Sequence, residues 1–358
     1  MSDYDYGNAR LRAMKSRLLS RRELELLAET GSLQGFIAAL VKTAYQKSIE
    51  AALTRSTGMN CIDEALHNDL INTVGKIRGF FQEETAAMTA IIFRAYDIYN
   101  LKTILRGLSK NVSSSDIIAI LLPIGELKIG ALRELARLNS PREAIDLLAS
   151  QSLPYAAPLL NLRAERPGAD IFEMELALDK WHFHQAVQIL RSGAESAESL
   201  AYALALEADL ANLLTVLRFT HDPRERDVLR GKLGGDEIEP LFIKAGRISI
   251  EALSTASRQD AVSSAVEYFA VTSFESALRA GLEIYSRSNR LSDIEKKLKH
   301  QRLERLAGLI QKDPLGIGVA LGYVALKVNE IGNIRWIAQG VNLDLKVEAI
   351  QAELETVP

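Results

Sequence analysis

The sequence predicts an all-α protein that contains three similar helical domains. Two observations carry this prediction: apolar residues recur at three- and four-residue steps along most of the chain, and one helical pattern returns three times. In its first copy, Ile98, Leu101, Leu105 and Leu108 form an apolar stripe of the kind that faces a protein core. Clean two-residue alternation is scarce, and aromatic residues make up only 6% of the chain.

The repeated helix carries an acid, two further residues, an asparagine and then Leu or Ile. Its copies are Asp97 to Asn100, Asp209 to Asn212 and Glu330 to Asn333. Asparagine is a mediocre residue for a helix interior, so its return requires a reason. The helix face around Asn100 is small and semipolar, which favours a contact with another helix. A solvated asparagine is the alternative, since it costs only about a few tenths of a kcal/mol.

Two further patterns return in the same order along the chain. The first begins with a glycine and continues with small and aliphatic residues, at Gly7, Gly125 and Gly246. The second is a capping box, in which a serine caps a helix start and an acid three residues later bonds back. Its predicted positions are Ser20, Ser140 and Ser257. Each pattern is weak alone, but their common order indicates a copied unit.

A third pattern fixes the phase of the copies. It places an acid after an aliphatic or aromatic residue, at Asp63, Glu173 and Glu295. From this acid to the acid of the asparagine helix there are 34, 36 and 35 residues (63 to 97, 173 to 209, 295 to 330). This near-constant spacing indicates a triplicated unit.

We therefore expect helical domains at residues 1–113, 114–235 and 236–358. The limits fall at two segments rich in turn-forming residues, 109–116 and 220–237. Three fused copies predict a pseudo-symmetric body around an axis, such as a ring, a funnel or a curved scaffold. An open solenoid is the alternative, although its repeats usually have only about 20–45 residues.

Composition excludes several classes of protein. The net charge of −3 argues against a dedicated nucleic-acid binder, and the single cysteine, Cys61, excludes an internal disulfide. We expect no signal peptide and no membrane-spanning helix, because the longest apolar runs are shorter than the about 20 residues required. Any membrane association is therefore expected to be peripheral.

Patterns of catalytic and metal-binding chemistry are also missing from the sequence. No phosphate-binding loop occurs, and Gly316, Gly318 and Gly322 lie in an apolar helical context that favours close packing or a bend. His182 and His184 would point to different sides of a helix and could not share a metal ion. We expect no catalytic residue, no cofactor, no metal ion and no small-molecule substrate.

Several basic residues are candidates for contact with a partner. Beside the repeated asparagines lie Lys102, Arg106, Arg218 and Arg335, and the basic first helix contains Arg10 and Arg12. A solvated basic strip is the simpler interpretation of these positions. A surface that meets a partner, with the asparagine helices and the first helix facing it, is the alternative.

Four segments resemble the C subunit of the archaeal and bacterial A/V-type ATP synthases, a relative of the d subunit of vacuolar ATPases. They are YGNARLRAMKSRLL (6–19), AYDIYNLKTILRG (95–107), DLANLLTVLR (209–218) and GYVALKVNEIGNIRWIAQG (322–340). The segments span the whole chain, and the triplicated organisation is itself a feature of that family.

The resemblance implies a funnel of three similar helical domains with pseudo-threefold symmetry. Such a protein sits at the cytoplasmic face of the cell membrane, on the membrane rotor ring, and receives the shaft subunits of the central stalk. It implies a socket that couples ion-driven rotation to ATP synthesis, with no nucleotide bound and nothing catalysed. Two other interpretations remain: a helical adaptor with no membrane complex, and an enzyme with an unrecognised helical active site.

Overall fold

The protein is described by a computed structural model that covers residues 4–191, 197–222, 224, 226–228, 231 and 238–357. Helices make up 75% of the structure, and no strand occurs in the described residues. The predicted all-α class is therefore confirmed. The predicted domain limit between residues 235 and 236 lies outside the described residues.

The helices alternate between short and long. In chain order they are α1 Asp5–Lys15, α2 Arg21–Ala28, α3 Leu33–Leu40, α4 Gln46–Leu53, α5 Gly58–Phe80, α6 Glu83–Ser109, α7 Ser114–Ala119, α8 Ile129–Ala136, α9 Pro141–Ser150, α10 Ala156–Glu165, α11 Ile171–Arg191, α12 Ala197–His221, α13 Ile250–Ser257, α14 Val262–Glu267, α15 Glu275–Ser288, α16 Leu291–Lys312, α17 Gly318–Asn342 and α18 Val347–Ala352. A 3-10 turn, Glu239–Leu241, precedes α13. The repeated asparagines lie on α6, α12 and α17, which are among the longest helices.

Two compact units make up the chain. Unit 1 contains residues Met1–His182 and Ile310–Pro358, and unit 2 contains Phe183–Leu309, so that the division falls within α11 and α16. The core of unit 1 includes an apolar cluster in which side chains of α6, such as Ile98 and Leu105, pack with those of α8 and α9. Burying such side chains supplies most of the free energy that holds helices together.

Each asparagine-bearing helix packs against a pair of short helices. In unit 1, α6 contacts α8 and α9, and α17 contacts α2 and α3. In unit 2, α12 contacts α13 and α14. By length and apolar composition α12 could cross a membrane between Glu198 and His221, but 67% of its most apolar stretch is buried inside the protein. Its apolar side chains are therefore used mainly in packing.

The predicted helix caps have mixed outcomes. Ser20 and Glu23 form the complete capping box at the start of α2, and the Ser140 side chain caps α9, whose first residue is Pro141. The box predicted at Ser257 is wrong, because Ser257 is the last residue of α13 and its buried hydroxyl donates to the carbonyl of Ser254. The following helix begins after Ala261, which has no capping side chain.

Candidate functional site

The three repeated asparagines make the same pair of hydrogen bonds. The side-chain amide of Asn100 donates to the carbonyl of Leu122 at 2.7 Å, and its oxygen accepts from the N–H of the same residue at 2.7 Å. Asn212 pairs in this way with Ile243, at 2.9 and 2.8 Å. Asn333 does so with Glu355, at 2.7 and 3.0 Å. We call these pairs the asparagine bridges.

The asparagine bridges join a helix to a non-helical segment. Leu122, Ile243 and Glu355 lie outside helices, where their backbone groups have no helical partner. Asn100 is 0% exposed, so it does not face water, and its partner is a peptide group of the chain after α7 instead of a second helix. Each bridge therefore satisfies one donor and one acceptor that burial would otherwise leave unpaired.

The acids of the repeated pattern lie three residues before the asparagines and hold the chain at a second place. Asp97 accepts from the backbone N–H groups of Glu126 and Leu127, at 2.7 and 3.1 Å, and from the hydroxyl of Tyr155, at 2.7 Å. Burial raises the pKa of Asp97, while these three donors act in the opposite direction. The contacts fix the chain that leads into α8 and α10.

Asp209 and Glu330 make related contacts. Asp209 accepts from the N–H of Ile248 at 3.0 Å, just before α13. Glu330 accepts from the N–H of Leu19 at 2.5 Å, just before α2, and from the hydroxyl of Tyr45 at 2.6 Å. Tyr45 and Tyr155 directly precede α4 and α10, and Phe274 directly precedes α15, where it offers no hydroxyl.

The helix starts beside these acids show a constant spacing. From the cap of the first short helix to the cap of the second there are 12 residues in all three places: Ser20 to Ser32, Lys128 to Ser140, and Ser249 to Ala261. By contacts and spacing, Ser20 therefore corresponds to Lys128 and Ser249. The sequence pattern had paired Ser20 with Ser140, which is one short helix too late.

Two of the three predicted glycines explain themselves by close packing. A Cβ atom on Gly125 would lie 1.9 Å from Oδ1 of Asp97, and one on Gly246 would lie 2.1 Å from Oδ1 of Asp209. The backbone therefore approaches the carboxylate more closely than any side chain allows. Gly7 differs, because its Cβ would meet the ring of Phe81 instead of a repeated acid.

Replacing Gly125 with alanine tests this packing. We expect Gly125→Ala to lower the free energy of unfolding by about 2 kcal/mol, because the buried carboxylate must move. The matched control is Gly130→Ala in α8, where nothing lies within 4 Å of the added methyl group. It should be neutral or slightly stabilising. Urea unfolding followed by tryptophan fluorescence measures both, since Trp181 and Trp336, the only two tryptophans, belong to unit 1. Equal midpoints for the two variants would contradict the prediction.

A charged cluster surrounds Glu330. Nζ of Lys327 lies 2.9 Å from Oε2 of Glu330, 2.8 Å from Oδ2 of Asp69 and 2.8 Å from the hydroxyl of Tyr45. The same ammonium group lies 4.3 Å from the centre of the Tyr45 ring. Lys327 is only 7% exposed, and burial together with the two carboxylates raises the pKa of Tyr45 well above its usual value. The charged cluster comprises Tyr45, Asp69, Lys327 and Glu330, and it joins α4, α5 and α17.

Ion pairs within unit 1 account for much of the predicted basic strip. Nζ of Lys102 lies 2.6 Å from Oδ2 of Asp179 on α11. The guanidinium of Arg106 donates two hydrogen bonds to Glu175, at 2.7 and 2.6 Å. These two residues therefore bind acids of the neighbouring helix.

The remaining predicted basic residues have different surroundings. Arg335 is buried on α17 and lies 3.3 Å from Oδ1 of Asp63 on α5. Arg218 is exposed on α12. On α1, Arg10 lies over the ring of Phe80 at 5.7 Å, and Arg12 donates to the carbonyl of Pro314 at 2.5 Å. Both arginines of α1 are exposed. Of the predicted basic residues, Arg10, Arg12 and Arg218 thus lie at the surface.

Comparison with known proteins gives one family along nearly the whole chain. The family model of the ATP synthase (C/AC39) subunit matches residues 7–353. The chain belongs to this family. Among curated relatives, the C subunit of the V-type ATP synthase of Deinococcus radiodurans is 24% identical, over 99% of this chain and 91% of the relative. The C subunit of the A-type ATP synthase of Methanosarcina acetivorans is 28% identical over 99% and 94%. That of Pyrococcus abyssi is 25% identical over 97% and 89%.

Family membership makes this chain a relative of subunits of rotary ATP synthases, and the predicted resemblance is confirmed. Such complexes are associated with membranes, and their other subunits are the expected class of partner. Among the residues that the structure describes, no group of three or more His, Cys, Asp or Glu side chains is placed to hold a metal ion.

The sequence interpretation missed Tyr45, Asp69 and Lys327. Two of them lie more than 250 residues from Lys327 along the chain, and no local pattern links them to it. A usable signal existed for the tyrosines: Tyr45 and Tyr155 each stand 17 residues before the residue that precedes the phase-setting acid, Ile62 and Phe172 (45 to 62, 155 to 172). An aromatic residue at this phase could have been added to the repeated pattern.

Buried histidine predicts a response of this family member to acid. His67 lies on α5 and its Nε2 hydrogen-bonds to the carbonyl of Leu121 at 2.9 Å, so this nitrogen carries the proton. Burial lowers its pKa to about 4, and the positive charges of Arg335 and Arg133 act in the same direction. The stability that comes from the neutral ring is therefore fully present above pH ~6.5 and is lost as the pH falls towards ~4.

We expect this loss to reach about 3 kcal/mol across that interval. His67→Gln keeps an N–H donor without a titrating ring, so its stability should change less between neutral pH and pH ~4. The control is His184→Gln, because His184 is exposed on α11. Urea unfolding at a series of pH values measures the slopes. A His67→Gln slope that equals the slope of the unsubstituted protein would contradict the prediction.

Proposed function

We propose that this chain is a central-stalk rotor component of an A/V-type ATP synthase. It acts as a socket that couples the membrane rotor ring to the shaft, and it is itself non-catalytic. The observation that carries the proposal is the family match over residues 7–353, together with relatives that are named as the C subunit of such synthases over at least 97% of this chain. Its partners would be the shaft subunits and the ring, at the cytoplasmic face of the membrane.

The proposal includes three similar domains, 1–113, 114–235 and 236–358, arranged as a pseudo-threefold funnel. The asparagine bridges on α6, α12 and α17 and the carboxylate contacts three residues before them support it, since each is made with the chain that starts the next copy or ends its own. The order of contacts is cyclic: Asp97 reaches the second copy, Asp209 the third, and Glu330 the first. Such an order suits a closed body better than an open row of repeats.

The function requires rigidity, because torque passes through the body without a chemical step. Closely packed helices resist compression, and a buried side chain with two or three backbone partners cannot rotate freely. We assign Asn100, Asn212, Asn333, Lys102, Arg106 and Arg335 to this internal role. We assign Arg10, Arg12 and Arg218, which lie at the surface, to contact with partners.

Cross-linking tests the rotor role directly. Cys61 is fully buried and is the only cysteine, so Cys61→Ser gives a background in which one new surface cysteine can be placed on α1. A cross-link from this cysteine to the ring should leave ATP-driven ion pumping unchanged if the two turn together. A cross-link to a stationary subunit should stop pumping. The uncross-linked cysteine variant is the control.

Membrane fractionation separates this proposal from a general helical adaptor. A rotor subunit should sediment with membranes, co-purify with the shaft and ring after gentle solubilisation, and be released when the soluble sector is stripped. A chain that remains in the soluble fraction while the complex sediments intact would rule out the rotor role.

A further inference from the structure

A basic surface with two exposed apolar side chains lies on unit 1. It comprises Tyr6, Arg10, Arg12 and Arg17 of α1 and the turn that follows it, with Lys312 and Leu315 at the turn between α16 and α17. Tyr6 is 61% exposed and Leu315 is 71% exposed, among the most exposed large apolar side chains of the described residues. We call this set the basic surface.

The two parts of the basic surface are joined by hydrogen bonds. Arg12 donates to the carbonyl of Pro314 at 2.5 Å, and the side chain of Asn8 donates to the carbonyl of Gly316 at 2.9 Å. Both residues that flank Leu315 are therefore tied to α1. The opposite face of α1 is buried through Gly7, Asn8 and Leu11, so the orientation of the helix is fixed by packing.

The charge of this region is unbalanced. Six cations and no acid occur between residues 10 and 22, namely Arg10, Arg12, Lys15, Arg17, Arg21 and Arg22. Among the described residues, Arg10, Arg12 and Arg17 form no ion pair, whereas Lys102 and Arg106 do. A concentrated positive charge without internal partners attracts an anionic surface.

We propose that the basic surface binds anionic phospholipid headgroups, with Tyr6 and Leu315 inserted at the membrane–water interface. Arginines beside a bilayer bind anionic headgroups, and aromatic and leucine side chains are favoured at headgroup level. A protein partner would require a contiguous, packed apolar patch, and Tyr6 and Leu315 instead project singly from a helix and a turn. The inference rests on the proposed function, because it gives a rotor component at the membrane a direct contact with lipid.

Vesicle binding tests the inference with the purified full chain. Co-sedimentation is measured with phosphatidylcholine vesicles and with vesicles that also contain phosphatidylglycerol. We expect binding only to the anionic vesicles, weakening as salt is added. Each neutralised arginine should lower affinity about fivefold, so Arg10→Gln with Arg17→Gln should lose about 25-fold. The matched control is Arg137→Gln with Arg142→Gln, two exposed arginines of unit 1, which should change binding by less than about threefold.

A second pair of variants tests the apolar contribution. Leu315→Ser should weaken binding to anionic vesicles, and Leu343→Ser should not, although Leu343 is 67% exposed in the same unit. Equal binding to neutral vesicles, no binding to either kind, or equal losses in the two arginine pairs would overturn the inference.

The lipid inference and the proposed function fail in different ways. The vesicles contain no protein, so a chain that ignores them and still co-purifies with the rotary complex overturns only the lipid contact. If the chain ignores vesicles and Arg10→Gln with Arg17→Gln is lost from the complex, then the surface binds a protein and the lipid inference is wrong.

Discussion

Replacing Lys327 with methionine should lower the free energy of unfolding by about 3–5 kcal/mol. Methionine keeps much of the length of the side chain but removes the cation that lies 2.8 Å from Asp69 and 2.9 Å from Glu330. Two poorly hydrated carboxylates then face each other without a counter-charge, which is a large cost in an interior. Urea unfolding followed by tryptophan fluorescence measures this effect in unit 1.

Lys76→Met is the matched control for this prediction. Lys76 is exposed in the middle of α5, so its loss should change stability by less than about 0.5 kcal/mol. Lys327→Met combined with Glu330→Gln should lose less than the sum of the single losses, because the double variant leaves one buried carboxylate instead of two. Strict additivity, or a Lys327→Met midpoint that equals the Lys76→Met midpoint, would show that the charged cluster is not coupled.

Replacing Asn100 with alanine should cost about 4 kcal/mol. The substitution leaves the N–H and the carbonyl of Leu122 buried without a partner, and each unpaired buried group costs about 1–3 kcal/mol. The control is Asn161→Ala on α10, where the asparagine is exposed, and a small gain from helix propensity is expected. Urea unfolding measures both variants.

The triple variant Asn100→Ala, Asn212→Ala, Asn333→Ala extends the test to both units. We expect a strongly lowered melting temperature and poor assembly into the complex, because all three asparagine bridges are lost. Unchanged melting and unchanged assembly would mean that water replaces these bonds at no cost.

The class of fold follows from the sequence, because three- and four-residue periodicity depends only on local order along the chain. The position of Asn100 was found in the same way. Its partner was not, since Leu122 lies in a segment after α7 that no helical pattern describes. The basic strip was ambiguous for a related reason: Lys102 and Arg106 are paired by acids on α11, which tertiary packing brings beside α6.

The capping box at Ser257 shows how a local pattern can be overridden. The sequence Ser257-Arg-Gln-Asp260 has the correct spacing, but Ser257 is fully buried at the end of α13. There its hydroxyl bonds backwards to the carbonyl of Ser254 instead of starting a helix. Burial of the serine thus removed the solvent-exposed helix start that such a box requires.

The contacts of α17 with the first helices have a consequence for synthesis of the chain. Tyr45 and Leu19 wait for Glu330, and Asn8 waits for Gly316, so the amino-terminal part of unit 1 cannot complete its packing until the last helices have been made. From α4 to the end of α17 there are about 290 residues, which at about 5–20 residues per second is roughly 15–60 s of translation. Unit 2 is one continuous segment and has no such delay. The nascent chain therefore exposes unpaired apolar helices during this interval and is then open to chaperones.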